Sequence, residues 1–556
     1  MAGHSQPNHD AVVSLRQRLS DSFVKAENGK RFIPDGTLEE IMDEPSLYQT
    51  LLALEGSRNL VGCDVQTICQ QVRGPFLKIF AILVLLRSHG VIFSFLKLGI
   101  DDNQLPYLGD APDEVARGNG CGLQSKWALL KDSWSERGLY LFFDMQWSVL
   151  APRFERSVDV LDLTGHHILP FLPVEDKSGP DAQLDRTGSF GEVRKVRIHP
   201  RHHDFRDIVQ TGNSTDVFAV KKLYTHDEHL FESELNTLRH FQKFQHPHLI
   251  QLLTSFRILE HGGCDSEMAS SSFIFPWADG NLRDFWAANE KLVGDERVIP
   301  WISTQCCGLA AALALVHEGG HCATTPERDK GFGMHGDIKS RNILWFKTPG
   351  KDKAQPGGLL VLADFGLSVP LHKMSRSEVS VSDIAVPATY RPPETEVSKK
   401  VSRKMDIWML GCTYLELVTW FLLGCKAVTT DFCTFRSERN RLGINSDAFF
   451  RVDGRGDRLS AQLKPQVVEW ITRLHAMPQC NQYLQQFLNL IKTRMLCANP
   501  NHRITASKLE IELQGLDCRF VKSDRKFREE VFQGNMKAFT RTLKWPIRNL
   551  THKLHF

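Results

Sequence analysis

The stretch His335-Gly336-Asp337-Ile338-Lys339-Ser340-Arg341-Asn342, together with Asp364-Phe365-Gly366 after it, decides how the chain reads. Two carboxylates, an amide and an amine stand on two short loops. Between them lie two strand-like runs, Ile343-Leu344-Trp345-Phe346 and Leu359-Leu360-Val361-Leu362, separated by the polar, Gly/Pro-containing loop Lys347 to Gly358. Runs separated in this way read as a hairpin, and a hairpin returns Asp364 to the side of Asn342. An amide oxygen and a carboxylate oxygen so placed suit Mg²⁺, a hard cation that takes few protein ligands and keeps phosphate oxygens for the rest. Asp337 is then free to orient a hydroxyl and accept its proton.

The two loops resemble the catalytic loop and the Asp-Phe-Gly motif of eukaryotic-type protein kinases. By that resemblance Asp337 is the catalytic base, Lys339 meets the γ-phosphate, and Asn342 and Asp364 hold Mg²⁺. A lysine two residues after the catalytic aspartate is typical of the serine/threonine members, so Lys339 points to Ser and Thr hydroxyls. Upstream, Arg186-Thr187-Gly188-Ser189-Phe190-Gly191-Glu192-Val193 resembles the glycine-rich loop, with Arg186 at its first glycine. Glycines are wanted there because backbone N–H groups must approach phosphates with no Cβ in the way.

Phe218-Ala219-Val220-Lys221 resembles the strand whose lysine meets the α- and β-phosphates, and His199 to Asp216 reads as a solvated insertion before it. The helical stretch Phe231 to Phe244 offers Glu234, or else Glu232, as the partner of Lys221. Phe273 to Ala278 resembles the fifth strand and hinge, with Phe275 at the gatekeeper place. Pro276 there removes one backbone donor. The nucleotide-binding set implied is Gly188, Ser189, Gly191, Val193, Ala219, Lys221, Glu234 and Ala278.

Gly336 stands where many kinases carry an arginine that receives an activation-loop phosphate, so activity independent of such phosphorylation is expected. Ser375, Ser377, Ser380 and Ser382 are the candidates for modification in that segment. Glu394, closing Thr389-Tyr390-Arg391-Pro392-Pro393-Glu394, and Arg503 stand at the places of a buried ion pair, and Asp406 at that of the residue steadying the catalytic loop.

The fold implied is α+β: a two-lobed protein-kinase-like fold, with a small β-rich lobe and a larger helical lobe, behind a mostly helical N-terminal domain. The corresponding divisions are 1–178, 181–515 and a basic tail at 516–556. Similar N-terminal segments precede kinase domains in some fungal proteins. The reaction implied is transfer of the ATP γ-phosphoryl group to Ser/Thr hydroxyls of a protein substrate. Two readings stand beside it. In one the chain is a pseudokinase scaffold; in the other the N-terminal domain is the working part and the kinase its regulator.

The 556 residues allow several domains, and a formal net charge of +3 gives no basis for a nucleic-acid partner. The 13 cysteines form no Cys-x-x-Cys pair, and scattered thiols suit an intracellular, cytoplasmic or nuclear, protein. Met1 to Asp10 lacks the apolar core of a secretory signal. The most apolar run, Ile79 to Leu86, is too short to span a bilayer, so no transmembrane segment is expected. Leu38 to Met42, Leu47 to Leu54 and Val65 to Leu86 read as helices, the last interrupted at Gly74-Pro75. The run Leu139-Tyr140-Leu141-Phe142-Phe143 is expected in a core, and His166-His167 as a solvated or hydrogen-bonded pair.

Overall fold

Ile343–Phe346 and Leu359–Leu362 pair antiparallel, Ile343 opposite Leu362 and Phe346 opposite Leu359. The second strand is buried at all four positions, as a continuous apolar run predicts for a strand covered on both faces. Its end is tied to the stretch around His248: Leu362 N–H donates to His248 O at 2.8 Å and Ile250 N–H to Leu362 O at 2.9 Å.

This computed structural model describes residues 7–55, 64–108, 122–156, 159–174, 186–187, 191–205, 216–223, 228–242, 246–262, 266–318, 333–347, 357–365, 379–380, 388–440, 443–454 and 459–520. Gly188, Ser189, Gly366, Ser375, Ser377, Ser382 and the tail from 521 lie outside them.

The small lobe is a seven-stranded sheet. Along it run Val160–Thr164, Thr254–Gly262, Ser266–Pro276, Val217–Leu223, Gly191–Ile198 and Phe171–Leu172, while Arg186–Thr187 also pairs with Gly191–Ile198. Two of these strands lie on the N-terminal side of the division expected at 178–181. Val160–Thr164 pairs parallel with Thr254–Gly262, and Phe171–Leu172 pairs antiparallel with the strand from Gly191. The sheet therefore draws in chain from the segment that sequence assigned to the N-terminal domain. These strands are short and carry no motif, so only their distant partners reveal them.

The N-terminal region is helical, as expected, from Pro7–Asp21 to Glu136–Gln146. Val65–Arg73 and Leu77–Leu85 meet at 102° across Gly74-Pro75, where proline removes a helical hydrogen bond. Around them Leu19, Leu47, Ile68, Phe80 and Phe95 form a separate apolar core. The aromatic run packs on one helical face only: Phe142 is fully buried and Leu139 nearly so, whereas Tyr140 is 65% and Leu141 40% exposed. Helical geometry turns consecutive residues to different faces.

The expectation for His199 to Asp216 needs correction over its described part. His202 and His203 are buried, and His202 bolts the helical region to the small lobe. Its Nε2 accepts the Asp35 N–H at 3.0 Å, its Nδ1 meets Pro152 O at 2.9 Å, and the Phe32 ring stands edge-on at 5.1 Å. These partners are far away in sequence, so the local polarity of the segment looked like solvation. His167 Nδ1 meets the Thr164 N–H at 3.0 Å, as a hydrogen-bonded histidine should.

Two helices in the described residues, Glu296–Glu318 and Lys404–Leu423, are long and apolar enough to cross a membrane. Both pack inside the helical lobe, with 67% and 94% of the apolar window buried. A helix apolar on all sides is what a lobe's central element requires.

Candidate active site

Strand alternation puts Ala219 and Lys221 on one face of Val217–Leu223. In register, Val193 lies opposite Lys221 on one side, and Phe275 lies opposite Ala219 on the other. Gly191 opens its strand where a Cβ would meet Lys222 O at 2.5 Å, so the close backbone approach needs glycine. Ala278, just beyond the strand Ser266–Pro276, is partly buried against the main core.

The helix Glu228–Gln242 buries Phe231, Glu234, Leu235, Leu238 and Phe241, a helical stripe facing the sheet. That stripe selects Glu234 over Glu232, which stays partly exposed. Lys221 Nζ stands 2.7 Å from Glu234 Oε1 and 2.9 Å from Asp364 Oδ1. Burial alone lowers an amine's pKa, but the two carboxylates overcome it and hold Lys221 charged, above its usual value. At Asp364 burial pulls upward, and the Lys221 charge and hydrogen bond outweigh it, so the carboxyl lies below its usual value.

Asp364 has φ 66, a left-handed backbone rare outside glycine. The conformation is held from both sides. Ala363 N–H donates to Asn342 O at 3.0 Å, and Phe365 is buried with its ring 4.9 Å from Phe241 and 4.6 Å from His335.

The catalytic-loop candidates hang on Asp406. This fully buried carboxylate accepts the His335 and Gly336 N–H groups, each at 2.9 Å, and contacts His317 Nε2 at 2.8 Å. Gly336 has φ 81, so glycine here suits the backbone itself besides lacking the arginine side chain. Beyond it, Asp337 Oδ2 accepts Lys339 Nζ and Asn342 Nδ2, both at 2.8 Å. Asp337 Oδ1 is buried with no hydrogen-bond partner among the described residues. Burial raises the Asp337 pKa against the pull of Lys339.

A buried acceptor without a partner is costly and calls for an explanation, which a bound hydroxyl would supply. Asn342 also gives its amide nitrogen to Asp337 O at 2.9 Å. Its remaining oxygen and the Asp364 carboxylate are hard donors, the chemistry that Mg²⁺ prefers. The residues present therefore fit such a cation.

Supporting the loop from below, Arg503 grips Glu394 through Nη1–Oε1 at 2.7 Å and Nη2–Oε2 at 2.5 Å, as the sequence pattern anticipated. Sequence reasoning missed His317 and the polar cluster of Ser340, Tyr390 and Glu416. Tyr390 Oη lies 3.1 Å from Ser340 Oγ and donates to Glu416 at 2.7 Å. The only cue in sequence was Glu416, a carboxylate in the strongly apolar run Trp408 to Leu423.

Residues 207–511, more than half of the chain, match the family model described as "Protein kinase domain". The chain is 27% identical over 236 residues to "Probable LRR receptor-like serine/threonine-protein kinase RPK1" of Arabidopsis thaliana, covering 42% of this chain and 35% of that one. It is 24% identical over 237 residues to "Cyclin-dependent kinase-like 4" of Mus musculus, covering 42% and 54%. Similarity to "MAP3K epsilon protein kinase 1" of Arabidopsis thaliana is 25% over 205 residues, 37% of this chain and 12% of that one. The chain thus spans about half or less of the length of these relatives. A lysine bridging the two lobes, a loop steadied by a buried aspartate and a match across both lobes lead to one conclusion: the chain belongs to the eukaryotic protein kinase superfamily.

Proposed function

We propose that the chain transfers the γ-phosphoryl group of ATP to Ser or Thr hydroxyls of a protein substrate. One observation carries the reading: Lys221 reaches both Glu234 of the small lobe and Asp364 of the large one, beside an Asp337 oxygen left unpartnered. Lys221 is charged and oriented to meet phosphate oxygens. Asp337 Oδ1 takes the position of the base that orients the substrate hydroxyl and accepts its proton. Lys339, 2.8 Å from Asp337, supplies positive charge where negative charge gathers during transfer. Asn342 and Asp364 would hold Mg²⁺, which supplies charge neutralisation at the phosphates.

Most of the catalytic effect then comes from positioning and electrostatics. Serine/threonine preference is supported by Lys339 and by the kinase named for that specificity among the relatives. The test is phosphoamino-acid analysis of protein labelled by purified chain with γ-labelled ATP, with and without Mg²⁺. Label on serine and threonine, and none without the metal, is expected. Label on tyrosine alone would refute the specificity, and a silent chain that still binds nucleotide would favour the scaffold reading.

A further inference from the structure

Away from the nucleotide cleft, a cavity of about 620 Å³ opens between the helical region and the turn that leads into the small-lobe sheet. Pockets of roughly 300–1,000 Å³ suit small molecules. Phe23, Leu85, Leu86, Leu141 and Ile168 give it apolar walls. Trp147 also lines it, stacked on His166 with centroids 5.2 Å apart. Although Trp147 is only 4% exposed, its indole N–H has no hydrogen-bond partner among the described residues. An indole can only donate, so an acceptor that reached Nε1 would satisfy it.

Lys30 and Arg31, both exposed, add two cations to the lining against the single carboxylate of Asp144. Neither cation is in an ion pair among the described residues. Apolar walls, a buried donor and an excess of positive charge define the chemistry of a ligand. We propose that this cavity binds a small amphiphile with an aromatic or aliphatic body and an anionic, hydrogen-bond-accepting group.

The position gives the site reach. Lys30 and Arg31 belong to the hairpin of Val24–Lys25 and Arg31–Phe32. The same hairpin carries Glu27, which holds Arg194 at 2.7 Å and donates its N–H to Phe171 O at 2.7 Å. Arg194 lies on the strand that begins at Gly191, so an occupant would touch the element gripping that strand.

Fluorescence titration of the full chain with anilinonaphthalene sulfonate, an aromatic anion, tests the proposal. Saturable one-to-one binding is expected. Trp147→Phe, which keeps a ring and removes the donor, should weaken it about fivefold, the worth of one hydrogen bond. Lys30→Glu with Arg31→Glu, on the exposed rim, should weaken it about tenfold. Circular dichroism checks that each variant is folded. Absence of saturable binding overturns the proposal, as does binding that the Lys30→Glu, Arg31→Glu chain leaves unchanged, whatever the fate of Trp147→Phe.

Discussion

Replacing Arg503 by Met tests the buried joint beneath the catalytic loop. Arg503 and Glu394 are both almost completely buried. Beyond its two bonds to Glu394, Arg503 donates to Cys497 O at 2.7 Å and Lys404 O at 3.0 Å, and its guanidinium lies 5.1 Å from the Trp408 ring centroid. Arg503→Met leaves the Glu394 charge buried without a partner, which costs about 3–5 kcal/mol. Glu394→Gln keeps the shape but loses charge-assisted bonding, at a cost of about 1.5–3 kcal/mol. In the double variant no lone charge remains, so its loss should fall short of the sum of the two by about 1–3 kcal/mol. Urea unfolding read by tryptophan fluorescence measures these losses, with coincident circular dichroism transitions as the two-state check. Additivity within about 0.5 kcal/mol would refute the reasoning, because it would mean that the two groups do not feel each other.

Three further outcomes are expected. The proposed base, Asp337, must be ionised to act, and burial raises its pKa, so the acid limb of the kcat/KM profile should lie above that of an ordinary aspartate. Lys339 pulls that pKa down, so Lys339→Met should move the limb to higher pH still; an unmoved limb would count against Asp337 as the titrating group. Gly308→Ala would drive a Cβ into the His248 ring, which is fixed by Leu360 O at 2.7 Å, and should cost about 1–3 kcal/mol, read as a lower urea midpoint. Truncation to residue 181 removes Val160–Thr164 and Phe171–Leu172 from the sheet, so it should lower the melting temperature more than truncation to residue 152.

What was legible in the sequence was local or strongly patterned. The hairpin before Asp364 follows from two short apolar runs and a polar loop, while the helical stretch after Lys221 offered Glu234, or else Glu232, and burial beside Phe231, Leu235 and Leu238 decided between them. What was not legible depends on long-range pairing. Val160–Thr164 finds its partner strand at Ser255–Leu259, and Phe171–Leu172 is too short to announce itself. His202 looks polar and solvated until Phe32, Asp35 and Pro152 close around it. Gly336 reads as a missing arginine; only its backbone angle shows that glycine also suits the turn over Asp406. His317 became visible only when the fold brought it to that same carboxylate.

The most direct measurement is the single-turnover rate of phosphoryl transfer from ATP with Mg²⁺ to a Ser/Thr-containing protein, for the wild-type chain beside Asp337→Asn. The account predicts measurable transfer by the wild type and a loss of about 10²–10⁴-fold in the variant, the contribution of a positioned base. Equal rates in the two chains would contradict it.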